Sequence, residues 1–101
     1  MAIKVQITRD FKPGTVGQAS RILIQARYQA MGMQGYISSE TWSNLNDSNR
    51  VVVVSMWQSI DDWNRWHESP QRGEFVSELG KLMVGGEHIA CFALGIQQPS
   101  E

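Results

Sequence analysis

Residues 50–70 read RVVVVSMWQSIDDWNRWHESP, a β-branched run followed by two serines placed to open helices. Val51 to Val54 are β-branched at every position, which favours extended backbone. Their unbroken apolar run implies a strand covered on both faces and therefore central in its sheet. Ser59 with Asp62 three residues later has the spacing of a helix-opening cap, Asp standing where Glu is usual. Asp61 and Asp62 also put negative charge at the positive end of a helix dipole. A strand over Arg50 to Trp57 is thus followed by a helix starting near Ile60. Ser69-Pro70 repeats the signal, since Ser suits the cap and Pro suits the first helical position. A further helix then runs to about Met83, with Phe75, Val76, Leu79, Leu82 and Met83 inward, and Gly85-Gly86 ends it.

Toward the N-terminus, Ser43 to Asn49 is rich in side chains that bond their own backbone, which makes it a turn joining two antiparallel strands. Its other arm is Tyr36 to Trp42, with Tyr36, Ser38, Glu40 and Trp42 on one face and Ile37, Ser39 and Thr41 on the other. From Val16 to about Met33, Val16, Ala19, Leu23, Ala26, Ala30 and Met33 recur three or four apart, the period of a helix. Ile3, Val5 and Ile7 alternate with Lys4, Gln6 and Thr8, the period of a strand with one buried face. At the far end, Glu87 to Ile96 is a last strand with both faces largely apolar, and the Gln97-Gln98-Pro99 tail is expected to be loose. The order strand, helix, strand, strand, helix, helix, strand is the split βαβ plan of a ferredoxin-like α+β domain, a single domain over 1–101. Helices can cover only one face of such a sheet. The other face calls for a second copy, so a homodimer is expected.

Composition narrows the functions. The 101 residues carry nine basic and ten acidic groups with no block of one sign, so the electrostatic footprint of a nucleic-acid or anionic-membrane binder is missing. No stretch reaches the roughly 18 apolar residues of a membrane span, and residues 1–10 lack a secretory signal, which predicts a cytoplasmic protein. Cys91 is the only cysteine, and only His67 and His88 accompany it. A protein-built metal site is therefore poorly supplied, and Cys91 is read as a small buried hydrophobe.

Gly35-Tyr36-Ile37, the Val51 to Met56 strand and above all Trp57 to Pro70 resemble the antibiotic biosynthesis monooxygenase family, over most of the chain. The resemblance implies a dimeric α+β barrel built from two ferredoxin-like subunits. It also implies kinship with enzymes that oxidise phenols or quinols with molecular oxygen as co-substrate and with no cofactor. Other members of the fold group degrade heme, isomerise small molecules or have no known activity. The heme-degrading branch has an Asn on its first strand, a Trp in its second helix and a His on its third. Trp66 matches the Trp, but Ile3 to Arg9 has no Asn and Pro70 to Met83 no His. The quinol-oxidising branch often has a His where Trp66 stands, and His67 is displaced from that position by one residue, a turn of about 100° on a helix.

The reaction needs a flat, electron-rich aromatic that loses a proton and donates an electron to oxygen in a site kept from water. Trp66 and Trp57, with Trp63, are candidates to stack on it; the size of Trp57 and Trp63 also reads as core packing ahead of that role, while for Trp66 the two readings balance. His67 is the candidate proton acceptor, placed inward by its spacing of seven from Ile60 and four from Trp63. Tyr36 is the candidate hydrogen-bond donor to the substrate oxygen. Arg27, His88 and Met56 complete the expected substrate-binding set. A non-catalytic module that sequesters an aromatic ligand is the second reading, and a heme-binding or heme-degrading protein the third.

Overall fold

The computed structural model describes residues 1–97, so the expected loose tail from Gln98 and the end of the domain to residue 101 lie outside the described residues. The elements are β1 (Ile3–Asp10), α1 (Val16–Met31), β2 (Tyr36–Ser43), β3 (Arg50–Trp57), α2 (Ile60–His67), α3 (Pro70–Gly80) and β4 (His88–Ala93). The strands form one antiparallel sheet in the order β2-β3-β1-β4. This is the ferredoxin-like α+β fold, and β3 occupies the central place that its valine run predicts. No helix among the described residues is long and apolar enough to cross a membrane.

The alternation of β1 is realised directly. Ile3, Val5, Ile7 and Phe11 are buried and point toward the helices. They pack with Ala30, Trp57, Trp63 and Trp66 at one end of the sheet and with Ala19, Val51, Leu79 and Met83 at the other. Both short helices begin at the expected caps. Ser59 Oγ accepts the Asp62 N–H at 3.2 Å and donates to Asp62 Oδ2 at 2.8 Å. Ser69 Oγ accepts the Arg72 N–H at 3.2 Å and donates to the Trp66 carbonyl at 2.7 Å, which ties the start of α3 to the end of α2.

Three boundaries differ from the expected ones. α1 ends at Met31, because the amides of Gly32 and Met33 bond only three residues back, to Gln29 and Ala30. α3 ends at Gly80, and the chain from Leu82 to Val84 bonds to the end of β1 instead: Lys12 N–H to the Leu82 carbonyl and Val84 N–H to the Asp10 carbonyl, both 2.8 Å. Met83 is buried as expected, but from this extended segment, where it bridges to Phe11. β4 stops at Ala93, three residues short of Ile96.

β2 departs from simple alternation. Tyr36 pairs with Trp57 and Ser38 with Met56, so two residues of β2 advance against one of β3. This bulge at Ile37 reverses the facing of the residues after it. Ser39 and Thr41 therefore join Tyr36 on the helix side, whereas Ser38, Glu40 and Trp42 face away, contrary to the expected grouping. Gly35, with φ +85°, supplies the turn into this strand, and a β-carbon there would run into the Asp62 carboxyl group. Its carbonyl accepts the Gln58 N–H at 2.8 Å, which fixes the start of β2 against the start of α2.

The face of the sheet away from the helices carries Val52, Val54 and Met56 in its centre, with Trp42 49% and Phe92 51% exposed at its two sides. β4 is open on its other side as well. Cys91 is exposed rather than buried, because it sits in an edge strand whose residues from His88 to Phe92 are all exposed.

Candidate functional site

Between the helices and the inner face of the sheet lies a half-open cleft with a cavity volume of about 80 Å³. Its apolar wall is Trp57, Trp63 and Trp66 with Phe75 and Leu79, and its polar groups come from Tyr36, Ser39, Thr41, Ser55 and the arginines Arg9, Arg27 and Arg72. It continues past Leu23, Arg27 and Thr41 into a second hollow between α1 and the sheet, floored by Phe11 and Val51.

Each wall residue is set by its element. Trp57 ends β3 on the inward phase, 1% exposed, and its indole N–H donates to Ser55 Oγ at 3.0 Å on the same face. Tyr36 meets it edge-on, with ring centroids 5.5 Å apart, and Trp63 meets it from the other side at 6.0 Å. Trp66, one turn after Trp63, completes the buried face of α2. The Tyr36 hydroxyl and Ser39 Oγ are 2.8 Å apart, a pairing that the bulge makes possible by bringing both to one face.

Of the expected site residues, the cleft brings together Trp57, Trp63, Trp66, Tyr36 and Arg27. Three others lie elsewhere. His67 is exposed, stacked on Trp63 with centroids 5.2 Å apart and planes 18° off parallel, and it does not line the cleft. Its expected inward position is phased on Ile60, which is itself 43% exposed at the first turn. The buried stripe of α2 is Asp62, Trp63 and Trp66. Met56 and His88 both lie on the far face of the sheet, opposite Lys4 and Thr8 of β1. In β3 the inward neighbours of Met56 are Ser55 and Trp57, and one residue is enough to change sides.

Arg9 and Arg72 belong to the cleft and are not evident from composition. Arg9 Nε and Nη2 donate to Glu87 Oε2 at 3.2 and 2.9 Å, and Arg72 Nη2 donates to Glu87 Oε1 at 2.8 Å. The Arg72 guanidinium carbon lies 5.4 Å from the centroid of the Trp63 ring, over its face, a cation–π contact. Burial lowers the Arg9 pKa, against a partial opposing pull from Glu87. Burial pushes the Glu87 carboxyl up, but its hydrogen bonds and charge contacts with Arg72 and Arg9 outweigh that, and the net displacement is downward. The signal for both arginines is in the patterns. Arg9 continues the inward series Ile3, Val5, Ile7, and Arg72 precedes Phe75, Val76 and Leu79 by three, four and seven residues.

A profile of the family described as antibiotic biosynthesis monooxygenase matches residues 2–78. Solved structures repeat the fold. A conserved protein from Methanosarcina mazei Go1 superposes with a TM-score of 0.85 at 15% identity, covering 91% of each chain. Rv0793 from Mycobacterium tuberculosis gives 0.84 at 13% identity, over 99% of this chain and 100% of that one. SnoaB from Streptomyces nogalater, described as a cofactor-independent oxygenase, gives 0.81 at 13% identity, over 99% of this chain and 100% of that one. Comparison with curated proteins gives no match. At these identities the structures speak for the fold, while the profile spans about three-quarters of the sequence, and the chain belongs to the antibiotic biosynthesis monooxygenase family.

Proposed function

We propose that the protein is a cofactor-independent monooxygenase that oxidises a flat, electron-rich phenol or quinol with molecular oxygen in the cleft between helices and sheet. The observation that carries this reading is the wall of Trp57, Trp63 and Trp66 facing the Tyr36 and Ser39 hydroxyls in a chain of this family. SnoaB, of the same fold, is described as an oxygenase of this kind. The three indoles hold the ring of the substrate, and the paired hydroxyls hydrogen-bond the oxygen that must lose its proton. The resulting anion gives one electron to dioxygen. Recombination of the substrate radical with superoxide forms a peroxide anion at carbon, which takes up a proton equivalent to the one the phenol lost, and loss of water from this hydroperoxide, with the hydrogen of the same carbon, leaves a carbonyl. One oxygen atom enters the product and the other leaves as water. The apolar wall keeps bulk water from the radical pair while this happens.

Oxygen uptake by metal-stripped protein over hydroquinones, naphthols and anthrone-type phenols tests the reading. Uptake above the autoxidation rate is expected, with kcat/KM at least about tenfold lower in Trp66→Ala, a loss of roughly 1.4 kcal/mol of transition-state stabilisation. Tyr36→Phe is expected to lower kcat more than it raises KM. Unaltered turnover in both variants would contradict the assignment of the site. The placement of His67 and His88 outside the cleft favours, as a second reading, an aromatic-binding module without chemistry. That reading predicts saturable tryptophan quenching with no oxygen consumed.

We further propose a homodimer through the open sheet face, since Val52, Val54 and Met56 with the flanking Trp42 and Phe92 form an apolar patch of the kind that marks an interface. Light scattering is expected to give twice the 11.4 kDa chain mass. Val54→Lys, which puts a charge in the centre of that face, is expected to yield monomer, and a monomeric unaltered protein would contradict the proposal.

A further inference from the structure

The Arg9, Arg72 and Glu87 cluster at the cleft wall holds two guanidinium groups against one carboxylate. Side chains of both arginines are 7% exposed and that of Glu87 15%. One positive charge is therefore left over in a nearly dry place, where an uncompensated ion is costly. The donor nitrogens can be accounted for one by one. Arg9 Nε and Nη2 and Arg72 Nη2 are taken up by Glu87. Among the described residues, Arg9 Nη1 and Arg72 Nε and Nη1 have no acceptor, and no side-chain nitrogen sealed from solvent is without a partner. The unused N–H groups therefore keep some accessible surface, and both side chains line the cleft. Three arginines and no Asp or Glu line that cleft. The stacking of Arg72 over Trp63 holds its guanidinium beside the aromatic wall, so a ring lying there carries its substituents toward the free donors.

We propose that the cleft selects an aromatic acid, its ring against the tryptophan wall and its oxyanion, a carboxylate or a phosphate, accepting from the free N–H groups of Arg9 and Arg72. The planar guanidinium fork matches both kinds of oxyanion, and a bond between two charged groups is about twice as strong as a neutral one. This rests on the cleft being the substrate site, and it adds which substrates that site takes. A cluster that only braces β1, α3 and the start of β4 would show no such selectivity.

The test is a tryptophan-fluorescence titration of the full chain at neutral pH with naphthoate, naphthyl phosphate and the uncharged naphthalene methanol. At least one of the two anions is expected to bind about tenfold or more tighter than the alcohol, and the ratio between the anions tells carboxylate from phosphate. Arg72→Gln is expected to abolish that preference. Glu87→Gln, which releases the donors held by the carboxylate, is expected to enlarge it. Equal binding of all three probes, or a preference untouched by Arg72→Gln, would overturn the inference and leave the oxygenase reading standing. Quenching by none of the probes would overturn both. Should Arg72→Gln fail to fold, the selectivity of the unaltered chain still decides.

Discussion

Trp57→Ala is expected to destabilise the protein by about 3–5 kcal/mol, the range for removing a large aromatic from a core. Trp57 is 1% exposed and joins the two halves of the aromatic cluster, meeting Tyr36 on one side and Trp63 on the other. Truncation would leave a cavity and would also strip the buried Ser55 hydroxyl of its indole N–H partner, which adds a desolvation penalty. In a domain of this length each kcal/mol moves the melting temperature by roughly 4–8 °C, so the midpoint is expected to fall by more than about 10 °C. Leu45→Ala in the β2 to β3 turn serves as the control. Leu45 is fully exposed, and its loss is expected to stay within about 0.5 kcal/mol. A Trp57→Ala protein as stable as this control would contradict the packing at the end of β3.

Glu87→Ala is the second large effect. It leaves Arg9 and Arg72 buried with no carboxylate between them, and removing one partner of a buried ion pair commonly costs about 3–5 kcal/mol. The pH dependence has a definite sign. Burial pushes the folded Glu87 carboxyl up, but the hydrogen bonds and charges of the two arginines prevail and hold it below its ordinary value of 4.5. Its contribution is therefore fully present above that ordinary value and is lost as the pH falls through the lower, folded one. Asp10, lowered chiefly by its hydrogen bond from Arg50, acts in the same direction at the surface. Urea unfolding followed from neutral pH downward is expected to show a steeper acid loss in the unaltered protein than in Glu87→Gln. Parallel acid limbs would show that the cluster adds nothing to pH-dependent stability.

Local rules carry the fold a long way. The alternation of Ile3, Val5 and Ile7, the valine run and the two Ser caps are short-range signals, and each places its element within a few residues. The failures come where a long-range contact overrules the local one. Met83 is inward on a helix by spacing, yet the chain there bonds to the end of β1. Ser38 and Ser39 exchange faces because of a single bulged residue, which no alternation rule can foresee. For the site, bulk is legible and phase is not. The large apolar surface of Trp57, Trp63 and Trp66 turns them inward wherever the helix allows. His67 is small and amphipathic enough to stack on the outside of Trp63. Arg9 and Arg72 escape a reading of the sequence because an arginine on a strand or helix is usually solvent-facing, although both stand on the inward phase of their elements.

Heavy-isotope-labelled dioxygen given to metal-stripped protein with an anthrone-type phenol shows whether the cleft inserts oxygen into its substrate. Mass spectrometry of the product is expected to find one labelled oxygen atom per turnover in the new carbonyl, with the other in water, and this incorporation is expected to fall with the rate in Trp66→Ala. Product without label, or dioxygen consumed only as hydrogen peroxide, would contradict a monooxygenase in this cleft.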